Sequence, residues 1–203
     1  GAYTDGGSLF VKKKLTAEEE KQRNIRWIRA LFLVYLLIVI KLIIFKYPMD
    51  QLRAIAATWR KDVILEGLDT ANFTPFKTIR MYIDYAYMLN SFENLVGNIL
   101  VFVPFGFLLP YVWKKAGSFC GCNHVLSFWV MLLNAVIFVL GIEVFQLFSA
   151  FGAFDVDDII LNCLGAVWGY LFYLIVEAIR RKRNRKQKQK DKQTGTGQRN
   201  KIL

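Results

Sequence analysis

Four long apolar stretches alternate with polar segments along the chain. They run from Trp27 to Phe45, from Asn94 to Trp113, from Val125 to Phe148 and from Asp158 to Ala178. Each is close to the roughly 20 residues that a helix needs to cross about 30 Å of hydrocarbon. The pattern predicts an all-α, polytopic membrane protein, built as a bundle of four transmembrane helices.

The connection between the first two stretches, residues 46–93, is the longest polar segment inside this domain. Between Met49 and Leu68 its apolar residues recur at helical spacing and share one face. An amphipathic helix of this kind lies in the membrane interface, where Trp59 would reach the headgroup level. The sequence therefore predicts an interfacial helix in the first external loop.

Basic residues are distributed unevenly among the connections. Seven precede or flank the first stretch up to Arg29, eleven follow from Arg180 onward, and the turn after the second stretch holds Lys114 and Lys115. The first loop contains six basic and six acidic residues. The segment between the last two stretches contains no basic residue. Since cytoplasmic flanks are enriched in Lys and Arg, we predict a multi-pass protein of the bacterial cell membrane with both termini in the cytoplasm.

These features divide the chain into three parts: a basic cytoplasmic segment (1–26), the transmembrane domain (27–178) and a basic, disordered cytoplasmic tail (179–203). The net charge of +11 is concentrated in the two flanking parts. Beside a membrane helix such charge favours contact with anionic lipid over nucleic acid. The predicted partner is the lipid bilayer, without nucleic acid, and the oligomeric state is left open.

Cysteine and histidine come together once, as Cys120, Cys122 and His124 in the sequence CGCNH. The spacing is narrower than in zinc sites, and a fourth ligand is missing. We therefore predict free thiols in a reducing compartment, with no metal and no cofactor.

Polar residues inside the apolar stretches collect at one side of the membrane. The connection between the third and fourth stretches has only about nine residues, which makes these two helices antiparallel neighbours whose outer ends meet. Polar groups inside a bilayer are costly and mark either a functional site or a paired contact. The predicted ligand-binding residues of this outer site are Asn98, Glu143, Gln146, Asp155, Asp158 and Asn162.

Structural explanations stay open for several of these residues. Asp155 and Asp158 have the spacing of an N-cap and N3 pair, and acids at a helix start suit its dipole. Glu143 has a possible structural partner in Lys41, the cation in the outer third of the first stretch. Gly165 and Gly169 form a small-xxx-small pair that permits close helix packing.

Four short motifs occur in order along the chain: NFTPF at 72–76, NILVFVPFGFLL at 98–109, ExxQ at 143–146 and DxxDxxxNxxG at 155–165. In these motifs the chain resembles the VanZ-like family of bacterial membrane proteins, over roughly residues 30–175. Many relatives carry an Arg shortly before the first Asp of the last motif, where this chain has Gly152 and Ala153.

The resemblance implies a protein of the Gram-positive-type cell envelope. The founding member of the family is associated with resistance to teicoplanin, a lipidated glycopeptide antibiotic that acts on cell-wall precursors outside the membrane. We therefore expect a non-enzymatic membrane protein whose polar pocket in the outer leaflet binds a lipidated amphiphile.

Two other functions remain open. One is an intramembrane enzyme acting on a lipid-linked cell-wall precursor, with Glu143 and Asp158 as its acid and base. The chain has no Ser/His or Cys/His pair to support it, because its single histidine is predicted on the cytoplasmic side. The other is a small transporter, although four helices without an internal repeat suit alternating access poorly.

Overall fold

The computed structural model describes residues 17–44, 62–85, 91–113, 124–149 and 152–199, together with residues 50, 53, 54 and 57. This part of the chain contains helices and no named strand, which confirms the all-α class. The helices are α1 (Ala17–Ile44), α2 (Asp62–Thr70), α3 (Lys77–Asp84), α4 (Ser91–Trp113), α5 (His124–Ser149) and α6 (Val156–Arg199).

Three segments of these helices are long and apolar enough to cross a membrane: Glu93–Trp113, His124–Ser149 and Val156–Lys190. They correspond to the second, third and fourth predicted spans. The first predicted span lies in α1, which begins ten residues before Trp27. α1 is not among the three segments, so the number of four spans stays a prediction.

Helices α4 and α6 pack with their backbones in close contact. A Cβ atom added to any of three glycines would overlap a carbonyl oxygen of the facing helix. Small residues allow this approach, and the predicted packing role of the glycines in α6 is confirmed. The three pairs are Gly165 with the Ile99 carbonyl, Gly169 with the Val103 carbonyl and Gly106 with the Ala166 carbonyl.

Aromatic side chains join α1 and α5 to this pair. Phe105 of α4 lies between Phe32 of α1 and Phe138 of α5, with ring centroids 5.6 Å apart in both contacts. The hydroxyl of Tyr35 donates a hydrogen bond to the carbonyl oxygen of Val101 at 2.7 Å. α1 therefore packs as a member of the bundle, against α4.

The last helix continues well beyond the bundle. Up to Lys190, where the described burial ends, Glu177 is the last buried residue, and every residue from Ala178 to Lys190 is exposed. The segment predicted to be disordered from residue 179 is thus helical as far as Arg199, and residues 200–203 lie outside the described residues. Lys, Arg and Gln are good helix formers, and extending an existing helix requires no new nucleus.

The predicted interfacial helix, from Met49 to Leu68, falls largely outside the described residues. Its last part is α2, which packs on the end of α5: a Cβ atom at Gly67 would lie 3.0 Å from the carbonyl oxygen of Leu147. Its position in the membrane interface stays a prediction. Cys120 and Cys122 also lie outside the described residues.

Candidate functional site

The connection between α2 and α3, together with the first residues of α3, is held against the start of α6. We call this segment, residues 71–79, the 71–79 loop. The N–H of Asn72 donates to the carbonyl oxygen of Phe154 at 2.8 Å, and its own carbonyl accepts the N–H of Val156 at 3.0 Å. These two bonds form an isolated parallel β-bridge between Asn72 and Asp155. The NFTPF motif therefore lies directly on the DxxD motif.

Asp155 combines the capping of α6 with contacts to this loop. Its Oδ1 atom accepts the N–H of Asp157 at 2.8 Å, which is the hydrogen bond of an N-cap residue. The same oxygen accepts Nδ2 of Asn72 at 2.8 Å, while Oδ2 accepts the hydroxyl of Thr78 at 2.6 Å. The predicted N-cap role of Asp155 is confirmed, and the side chain also ties the loop to the helix.

Asp157 was not among the predicted site residues, yet its carboxylate accepts three hydrogen bonds, as many as that of Asp155. Its side chain is fully buried, with 0% of the residue surface exposed. One carboxylate oxygen accepts the N–H of Phe76, and the other accepts those of Thr78 at 2.7 Å and Ile79 at 3.1 Å. Helix α3 begins at Lys77 and has no side-chain cap of its own. A residue of α6 therefore caps α3.

The 71–79 loop presents two aromatic rings on this fixed backbone. Phe76 has a φ of 66°, in the left-handed region that is unfavourable for a bulky residue. The hydrogen bond from its N–H to Asp157 helps to hold this conformation. Phe76 is 53% exposed and Phe73 is 58% exposed, although the ring of Phe73 also contacts Phe154 at 5.1 Å.

Glu143 lies at the centre of the described contacts between α5 and the start of α6. Only 2% of its surface is exposed, and its Oε2 atom accepts the N–H of Asp155 at 2.9 Å. The structural pair with Lys41 is not found: Lys41 is exposed, and no ion pair joins the two residues in the described part of the chain. The short α5–α6 connection instead supplies a backbone donor.

The fourth helix to contribute is α4. Nδ2 of Asn98 donates to Oδ1 of Asp158 at 2.6 Å, across the tightly packed α4–α6 pair. The structure thus brings four predicted site residues into one hydrogen-bonded region. We call this region the polar cluster, formed by Asn72, Asn98, Glu143, Asp155, Asp157 and Asp158.

Tyr82 of α3 lies beside the polar cluster and was not predicted from the sequence. Burial raises the pKa of its hydroxyl, and the negative charges of Asp158 and Asp155 raise this pKa further. The hydroxyl therefore stays neutral at physiological pH and can both donate and accept a hydrogen bond.

The remaining two predicted residues differ from the other four. The side chain of Gln146 packs against Gly152. A Cβ atom added to Gly152 would lie 3.0 Å from the side-chain amide carbon of Gln146. Asn162 is buried in α6, one helical turn beyond Asp158. Within the described structure, neither side-chain amide has a hydrogen-bond partner. The structure therefore separates the predicted site into four bonded residues and two amides available for other contacts.

Comparison with known proteins identifies the family of this chain. The chain belongs to the VanZ/LLP1 family, whose model matches residues 32–177, and this range includes the whole polar cluster. It is similar to Protein VanZ of Enterococcus faecium, with 27% identity over 145 residues that cover 71% of this chain and 72% of that protein. No solved structure matches the chain. The resemblance found in the four motifs is confirmed.

Proposed function

We propose that the chain is an integral membrane protein of the bacterial cell envelope with four transmembrane helices and cytoplasmic termini. Three segments are long and apolar enough to cross a membrane, and the predominantly basic connections all fall on the same side of the predicted bundle. α1 supports a fourth span because it packs on α4 while exposing large apolar side chains such as Leu33 and Leu37. In this arrangement the polar cluster and the 71–79 loop lie on the external face.

Thiol labelling tests this topology. In a variant without the native cysteines, a cysteine at Thr70 should react with a membrane-impermeant maleimide in intact cells. A cysteine at Thr194 should react only after the cells are permeabilised, since the basic tail is placed in the cytoplasm. The permeabilised sample confirms that both thiols are reactive, and labelling with the two positions exchanged would reverse the proposed orientation.

The external face is proposed to bind a membrane-anchored amphiphile, such as a lipidated glycopeptide of the teicoplanin type. The observation that carries this proposal is the 71–79 loop, which holds two exposed aromatic rings beside a partly buried polar cluster. Aromatic side chains at the membrane interface provide apolar contact area with little conformational entropy to lose. The acyl chain would lie in the outer leaflet while the polar body stays above the loop.

The unusual backbone of Phe76 supports a functional role for this loop. A non-glycine residue in the left-handed region costs roughly 1–3 kcal/mol, and such residues cluster at ligand-binding and active sites. Glycine would adopt this conformation without strain. Phenylalanine at this position is therefore better explained by what its exposed ring contacts than by the folding of the loop.

The enzyme alternative has less support from the geometry. Its acid and base would be Glu143 and Asp158, and both carboxylates already accept hydrogen bonds from the protein. A general acid or base must instead reach a proton on the substrate. The arrangement thus favours a binding function, with the carboxylates as its internal support.

Expression in a susceptible Gram-positive host tests the binding function. We expect severalfold higher tolerance to teicoplanin and little change for vancomycin, which lacks the acyl chain. The variant Phe76→Gly should remove the ring and relieve the backbone strain, so the effect should disappear while thermal stability is kept or increased.

A matched variant removes an exposed ring elsewhere. Phe172 is 50% exposed on α6, and Phe172→Ala should leave teicoplanin tolerance intact. Equal tolerance to both antibiotics would contradict recognition of a lipidated ligand. Full activity of the Phe76→Gly variant would contradict the role of the loop.

A further inference from the structure

Helix α3 has one face packed on the bundle and one face exposed. Thr78, Ile79 and Tyr82 are partly buried beside the start of α6. Lys77 and Arg80 lie on the other face, three residues apart, and both are exposed. Side chains at this spacing are neighbours on a helix surface. The structure thus presents two cations side by side next to the proposed binding loop.

The charges of Lys77 and Arg80 are not used by the fold. Within the described residues neither cation forms an ion pair, although the exposed Asp84 lies only four residues beyond Arg80. The carboxylate of Asp157 is fully buried and accepts backbone N–H groups of this segment instead. Both cations are therefore available to an anionic group outside the protein.

The exposed ring of Phe76 belongs to the same surface. Phe76 directly precedes Lys77, and its carbonyl oxygen accepts the N–H of Arg80 at 3.1 Å. The three hydrogen bonds to Asp157 hold this backbone in place, so the ring and both cations extend from a fixed support. A ligand that binds a preorganised surface loses less free energy to ordering the protein.

We infer that Lys77 and Arg80 bind a carboxylate on the polar body of the amphiphile. This inference rests on the proposed binding function, in which Phe76 contacts the apolar part of the same ligand. The guanidinium group of Arg80 can donate two parallel hydrogen bonds to the carboxylate oxygens, and Lys77 adds a second positive charge. Asp84 repels an anion at the far end of α3, which places the carboxylate near Lys77.

Calorimetric titration in phosphatidylcholine nanodiscs tests the inference, with empty nanodiscs as the blank. The two ligands are teicoplanin and a derivative in which its peptide carboxylate is converted to an amide. The wild type should bind the amide about tenfold more weakly than teicoplanin. The double variant Lys77→Gln/Arg80→Gln should bind teicoplanin about tenfold more weakly and should not distinguish the two ligands.

Two further variants are matched controls. Lys77→Arg keeps the positive charge and should keep the wild-type affinity for teicoplanin. Lys41→Gln removes an exposed cation of α1, away from the 71–79 loop, and should leave the affinities for both ligands unchanged. Because all these positions are exposed, every variant should unfold within about 2 °C of the wild type.

The outcomes separate the inference from the proposed function. No teicoplanin binding by the wild type would contradict both. Equal affinity of the wild type for teicoplanin and its amide would overturn the inference alone. A double variant weakened by the same factor toward both ligands would also overturn it, because the cations would then support the loop or contact lipid phosphates rather than the carboxylate.

Discussion

Replacing Asp157 with alanine should release the 71–79 loop from the bundle and lower the free energy of unfolding by about 3–5 kcal/mol. The carboxylate is fully buried and accepts three backbone N–H groups at the start of α3. Hydrogen bonds to a charged acceptor are stronger than neutral ones, and their loss leaves the donors without partners. Asp157→Asn keeps one acceptor oxygen and should lose less.

Thermal unfolding and limited trypsin digestion measure this effect. Cleavage after Lys77 and Arg80 should accelerate in Asp157→Ala, because both residues lie in the segment that the carboxylate holds. Asp84, exposed at the end of the same helix, provides the matched control, and Asp84→Ala should behave like the wild type. Unchanged stability and trypsin resistance in Asp157→Ala would show that the loop is held by other contacts.

Adding a single methyl group at the α4–α6 interface should destabilise the protein about as much as Asp157→Ala. Gly165→Ala and Gly169→Ala each place a Cβ atom against a backbone carbonyl, so the helices must separate along the whole contact. Overpacking of a tight core usually costs about 1–3 kcal/mol. We expect about 3 kcal/mol or more here, since the clashing atoms belong to the backbone and cannot change rotamer.

Two further glycines serve as controls, because the opposite effect on stability is expected for them. Gly97 in α4 and Gly141 in α5 have nothing within 4 Å of an added Cβ atom. Their replacement by alanine should stabilise the protein by up to about 1 kcal/mol, because alanine favours the helix. Unfolding temperatures of the four variants in one detergent test both expectations. Equal effects at all four positions would mean that α4 and α6 do not pack as closely as described.

Local patterns were sufficient to predict the long helices and much of the site. The second and third apolar stretches match membrane-length segments to within one residue at each end, because length and hydropathy are properties of the stretch itself. The fourth begins two residues from its predicted start, but its segment continues to Lys190, twelve residues beyond the predicted end. Glu143 and Asp158 were found by a similar argument, since a carboxylate in an apolar stretch needs a partner. The short α5–α6 connection then placed both on one side.

Contacts between distant parts of the chain could not be predicted in this way. Asp157 lies outside the stripe of Asp155 and Asp158, and its partner Phe76 is 81 residues away. One signal was present in the sequence: the residue before α3 is phenylalanine, which cannot cap a helix, so the cap had to come from another part of the chain. Lys41 was considered as a partner of Glu143 because of its charge and its place in the outer third of the first stretch, whereas a backbone amide donates to Glu143 in the structure.

The distance along the chain between the 71–79 loop and its anchor has a consequence for biogenesis. During synthesis the loop is made before Asp155 and Asp157 have been translated, so its N–H groups must be hydrated until the start of α6 is available. The contacts of this loop are therefore completed late, when α6 has been made. A chain that stalls or ends before α6 would leave the loop without its anchor, and such an unfolded segment is open to proteolysis.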